Sequence, residues 1–150
     1  MTRLQFSPVL FLLTGLLWLL AASVVGLALF LSMVLGQPIP AFLRQFHVHG
    51  ALVGGVVQVI VGVMLAMGER SNSHPVLFTA INVSAIGMLV GLQLGHPILV
   101  VTAGLLVLVA LLSLLGDAIR HVRTSLVPLP LNLWFYGVAL LALLGGMGVG

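Results

Sequence analysis

Phe46-His47-Val48-His49-Gly50-Ala51-Leu52-Val53 stands near the start of an apolar run that continues from residue 42 to residue 67. At about 1.5 Å per residue such a run is long enough to cross a hydrocarbon core of about 30 Å as a helix. It is also far too long and too poorly alternating to be a barrel strand. Lipid offers no partners to backbone N–H and C=O groups, so only helices and closed barrels span a bilayer. This stretch therefore decides the class: an all-α, polytopic membrane helical bundle. Working outward from it, comparable runs occupy 8–35, 75–94, 97–115 and 131–149, which predicts about five transmembrane helices in a single domain.

The composition agrees with that reading. Of 150 residues, 61% are hydrophobic and 5% charged, with a mean hydropathy of +1.35. A water-soluble domain does not carry such a surface, so the first partner of the chain is the lipid bilayer. The basic residues are Arg3, Arg44, Arg70, Arg120 and Arg123, too few to suggest nucleic acid and all placed between apolar runs. They read as topology signals. A cytoplasmic N-terminus puts Arg3, Arg70, Arg120 and Arg123 inside and Arg44 outside, the distribution that the positive-inside rule favours. The expected location is thus the membrane itself, a bacterial inner membrane with the N-terminus in the cytoplasm. The first run follows Arg3 as a signal peptide's would, but its length marks an anchor. Prolines at 8, 38, 40, 75, 97, 128 and 130 punctuate the boundaries, where a missing N–H costs nothing in a helix's first turn. Cysteine is absent, which excludes disulfides, thiolate-bound zinc, iron–sulfur clusters and covalently attached c-type heme.

Glycines recur at helical spacing. Gly50 and Gly54 lie four apart in the second run, with Gly55 and Gly62 beyond them, and Gly87, Gly91 and Gly95 keep the same interval in the third. Such ridges let another backbone approach closely, and helix packing is their commoner use. A tetrapyrrole lying on a glycine face is the sharper alternative. Asn82, Gln93 and His96 fall on one side of an ideal helix, a face turned to the bundle or to a partner subunit. Gln58 lies almost opposite His49 around the second helix, which gives that helix polar business on two sides. One of them is available for an oligomer contact.

The histidines carry the remaining chemistry. An ionisable group inside a membrane span is costly, and its usual purpose is a metal or a proton. With the orientation above, His47, His49 and His96 lie toward the outer face, and His74 and His121 sit in loop-type sequence at the inner face. On an ideal helix His47 and His49 are about 200° apart and cannot jointly chelate one ion. One histidine per helix is instead the geometry of a bis-His heme. His49 and His96 are the candidate ligands, with His47 as a further metal-binding candidate. Gly50 and Gly54 offer a face for the ring, and Arg44 stands near the surface to pair with a propionate. Copper on His47 and His96 lacks a ligand set of the right spacing. Magnesium of a chlorophyll-type pigment on His49 is the other alternative. The blander reading makes His49 an interface histidine and His96 an interfacial cap before Pro97. Asp117 and Arg120 are spaced for a local ion pair, and the adjacent charges Glu69 and Arg70 carry no mechanistic weight. Nothing in the chain resembles a nucleophile with its base, a phosphate-binding glycine loop or a carboxylate pair. Hydrolytic chemistry has no support, and whether the chain is an enzyme stays open.

The run from His47 through Gly54-Gly55 to Ile60-Val61-Gly62-Val63 resembles the second transmembrane helix of the heme–copper oxidase catalytic subunits, and is similar in this respect to the small NnrS-type heme proteins. In the former a His-Gly pair opens an apolar, glycine-containing helix and supplies an axial ligand of the low-spin heme near the outer side. The resemblance implies that role for His49, or for His47 if the register is displaced by two. It does not extend to His96, which enters as a ligand from the topology alone. Two functions follow as expectations. The first is a membrane b-type heme protein that transfers electrons or binds a diatomic gas near the outer face. The second is a non-catalytic transmembrane subunit that scaffolds a larger respiratory, photosynthetic or metal-enzyme complex. Other membrane subunits or further copies of the chain are the implied partners.

Overall fold

The computed structural model describes residues 7–67 and 74–124, with the further helical positions Val138, Leu141, Ala142 and Gly145. The two long stretches are helices joined by short connections: α1 (Pro8–Val34), α2 (Ala41–Gln45), a π-helix (Phe46–Val56), α3 (Val57–Met67), α4 (His74–Gln93) and α5 (Pro97–Thr124). Four of the resulting rods, 8–34, 41–66, 75–93 and 97–117, are long and apolar enough to cross a membrane. The run at 131–149 lies outside the described residues, so the described count is four where the sequence suggested about five.

The boundaries follow local chemistry. Ser7 caps α1, its hydroxyl accepting from the Val9 N–H at 3.3 Å, and Pro8 takes the first helical position. The other end of α1 closes at Gly36, whose φ of 64° only glycine adopts without strain. There Gln37 N–H donates to Ser32 O at 2.8 Å and Gly36 N–H to Met33 O at 3.3 Å, the paired bonds of a Schellman ending. Gly95 (φ 61°) repeats the device after α4, with His96 N–H donating to Gly91 O at 2.8 Å and Gly95 N–H to Leu92 O at 3.3 Å. Gly95 is therefore not the third member of a packing ridge; it terminates the helix. The His96 carbonyl then accepts from Leu99 and Val100, which starts α5 at Pro97. α5 runs on past residue 115, so Asp117 and Arg120 sit on a helix and form the expected pair at 3.1 Å. The backbone at His74 and His121 is helical too, where the sequence suggested loops.

The helices pack as an antiparallel succession with its core at their centre. Phe11 of α1, Val57 and Val61 of α3, Ile81 of α4, and Val107 and Leu111 of α5 are all buried. Phe11 meets Phe78 edge to face, ring centres 5.1 Å apart, tying α1 to α4. Within this core Gln58 and Asn82 bond reciprocally: Gln58 Nε2 donates to Asn82 Oδ1 at 3.1 Å, and Asn82 Nδ2 donates to Gln58 Oε1 at 3.4 Å and to Phe78 O at 2.9 Å. Gln58 and Asn82 thus satisfy each other inside the chain. The proposed stripe of Asn82, Gln93 and His96 is divided: Asn82 faces Gln58, Gln93 is exposed, and His96 lies beyond the helix end.

Candidate functional site

The second span departs from ideal α geometry where its histidines are. From Phe46 to Val56 the backbone bonds reach one residue further than in an α-helix, and the segment closes with Val57 N–H donating to Leu52 O. π-helical turns are rare, commonly limited to a single turn, and concentrated at functional positions. Eleven consecutive residues in this form are a substantial departure. The wider turn brings residues four apart nearly into line, so the segment presents four rows.

Each row has its own neighbour. Phe46, Gly50 and Gly54 form a slot for the Trp18 indole: the Phe46 and Trp18 rings are 5.8 Å apart, and a methyl at Gly54 would overlap the indole. His47, Gly55 and Val59 face α1, where a side chain at Gly55 would collide with Leu19 and one at Gly15 with Val59. Val48, Leu52 and Val56 are exposed. His49 heads the row of Val53, Val57 and Val61, all three buried.

The two imidazoles are consequently in different situations. His47 Nδ1 lies 2.8 Å from the Ala22 carbonyl of α1. A carbonyl only accepts, so Nδ1 carries the proton and donates it. The ring rests over Gly26, where an added Cβ would come within 2.6 Å of its Cε1 atom. His49 is half-buried, and its ring makes no hydrogen bond to any described residue. The π geometry still leaves the pair two rows apart, so the conclusion that they cannot share one ion stands on the altered backbone.

His96 is held by its backbone in the α4–α5 connection, and its side chain is exposed. It belongs to the same end of the bundle as His49, because Phe42 and Phe46 share an open groove of about 390 Å³ with Val90, Gln93 and Leu94 of the α4 end. No hydrogen bond joins His96 to His49, and neither residue lines that groove. Arg44 is exposed on α2 at this end. Among the described residues no three side chains of the His, Cys, Asp and Glu types stand together as a metal cluster. A heme iron requires only one or two imidazoles, so this leaves an axial ligand open.

Tested against a tetrapyrrole, the site fits in its donor and not in its cradle. A half-buried imidazole with no hydrogen bond to a described residue has a ring nitrogen available as an axial donor. The Gly50–Gly54 face, however, is filled by Trp18, and Gly55 and Gly62 are filled by Leu19 and Leu12. The commoner use of such glycines, packing against the chain's own helices, is the one realised here. Sequence reasoning passed over the α1 side of this arrangement: Trp18, Ala22 and Gly26. Its signal was available as small residues at 15, 22 and 26 interleaved with a lone indole in an otherwise aliphatic run.

The fold thus defines a class, an all-helical bundle whose described helices include four able to cross a membrane. Comparison with family models, with curated proteins and with solved structures finds no match for this chain.

Proposed function

We propose that this chain is an integral membrane b-type heme protein of a bacterial inner membrane, N-terminus in the cytoplasm, with His49 as an axial ligand near the outer face. The observation that carries this reading is the contrast between the two histidines of the π-helix. His47 is engaged by the Ala22 carbonyl, while His49 sits inside a membrane-length helix with no hydrogen bond to a described residue. An intramembrane imidazole without a hydrogen bond to a described residue is retained at a cost, and ligation offsets that cost. Bound heme would supply one-electron transfer or diatomic-gas binding. His96, in the connection at the same end, is the second axial candidate, and Arg44 the candidate partner of a propionate. Gly50 and Gly54 are not part of the proposal, since Trp18 occupies their face.

The test is a reduced-minus-oxidised optical spectrum with a pyridine hemochrome assay on the detergent-purified chain, its His49→Ala variant and its His96→Ala variant. The expected outcome is a b-type signal in the parent that disappears with His49→Ala. Retention of a shifted, high-spin signal in His96→Ala identifies His96 as the second ligand. A folded parent without any heme signal overturns the reading and leaves the scaffold subunit of a larger membrane complex in its place.

A further inference from the structure

We infer that His47 is a positioning residue, a clamp that fixes the register of the π-helix on α1 and thereby the placement of His49. The inference rests on the reading of His49 as the ligand for its purpose, though not for its geometry. Three observations converge on it. The His47 ring donates from Nδ1 to the Ala22 carbonyl at 2.8 Å, a bond between segments 25 residues apart in the chain. The ring lies over Gly26, and a Cβ there would approach Cε1 to 2.6 Å and Nδ1 to 2.8 Å, so α1 is hollowed at the one position the imidazole requires. The bond falls at the second residue of the π-helix, near the point where α2 gives way to the wider turn.

The consequence for His49 follows from the rows. Residues four apart nearly align on this segment, so slipping the register by one residue exchanges neighbouring rows. His49 would then leave the row of Val53 and Val57 for the lipid-exposed row of Val48 and Leu52, or its neighbour on the other side. The contacts of Gly54 with Trp18 and Gly55 with Leu19 are apolar and specify shape. The His47–Ala22 bond is directional, and it is the hydrogen bond between α1 and the π-helix among the described residues. Interhelical hydrogen bonds of this kind add a directional constraint to the fit of shapes. The bond engages Nδ1 alone, and a ring that donates Nδ1–H to a carbonyl keeps the Nε2 lone pair, so the clamp role of His47 is independent of what Nε2 meets.

The chain has no cysteine, so His49→Cys creates a single thiol at the site, and Ser84→Cys a separate one in the buried core. The experiment compares the rate of N-ethylmaleimide labelling at position 49, then at position 84, in three backgrounds: His47 intact, His47→Asn and His47→Leu. Asparagine places an amide N–H where Nδ1–H stands and keeps the donor; leucine removes it. The expected result is a change at position 49 of about fivefold with His47→Leu, the factor one net hydrogen bond corresponds to, and less than about twofold with His47→Asn. Position 84 should not respond to either. An unchanged rate at 49 with His47→Leu overturns the clamp. Equal effects of asparagine and leucine also overturn it, as do parallel changes at 49 and 84, which would make His47 a general packing residue. No cofactor enters the measurement, so a colourless chain that passes it loses only the heme reading, and a heme-binding chain that fails it loses only the clamp.

Discussion

Two glycine-bearing seams hold this bundle together, and they weight the uses of glycine differently. Between α1 and the second span most glycines are notches for a large side chain, Gly54 for Trp18, Gly55 for Leu19 and Gly26 for His47, while Gly15 lets backbones approach, a Cβ there meeting the Gly55 carbonyl at 3.0 Å. Between α4 and α5 glycine brings backbones together: a Cβ on Gly91 would meet the Val100 backbone nitrogen at 3.0 Å, and one on Gly87 would lie 3.5 Å from the Ala103 methyl. The difference traces to connectivity. α4 and α5 are joined through Leu94-Gly95-His96, a turn short enough to press two helices of small residues against each other. α1 reaches the second span through a longer, proline-bearing link, and the His47–Ala22 bond together with knobs in notches supplies the register that the connection does not.

The sharpest break of this comparison is Gly54→Leu. A side chain there displaces the Trp18 indole and should destabilise the bundle by about 3 kcal/mol or more, as overpacking of a filled core does. Reversible unfolding in mixed micelles measures it. Trp18→Ala in the same chain should recover much of the loss, because a notch exists only with its knob; strictly additive costs would show that the two residues do not form one unit. Gly91→Ala is expected to cost about 1 to 2 kcal/mol by the same assay. Here Val100→Ala should rescue poorly, since the obstruction includes the Val100 backbone, which no side-chain truncation removes.

A smaller effect separates the seams from the polar pair between them. Gln58→Leu should cost about 1 kcal/mol, in the range of interhelical hydrogen bonds in membranes. Asn82 keeps its bond to the Phe78 carbonyl, which limits the loss. The double variant with Asn82→Leu should be less destabilised than the two single costs added together. Least of all is Asp117→Asn on α5. The pair with Arg120 is an exposed contact within one helix, so its removal should change stability by no more than a few tenths of a kcal/mol.

Much of the architecture is legible in the sequence itself. Long apolar runs, prolines at their starts and the scarcity of charge determined an all-α membrane bundle, because the bilayer leaves the backbone few choices. Those signals are local, and each run declares itself without reference to the others. The Asp117–Arg120 pair was legible for the same reason, being a matter of spacing on one helix. What the sequence could not fix was which face met which. Gly95 kept the interval of a ridge yet ends a helix, because a positive φ is imposed by the turn into α5. Gly50 and Gly54 presented the same pattern whether they held a ring or an indole, and only the position of Trp18 on another helix decided it. The π-helix was invisible as well. No residue in Phe46–Val56 forbids α geometry; the wider turn is seen together with the His47 bond to Ala22 and the fit of α1 side chains into three glycines, contacts made across a tertiary seam. The sequence determined that two imidazoles enter the membrane. Tertiary structure decided that His47 is held by a carbonyl while His49 bonds to no described residue, since a hydrogen bond between residues 22 and 47 exists only once the two helices meet.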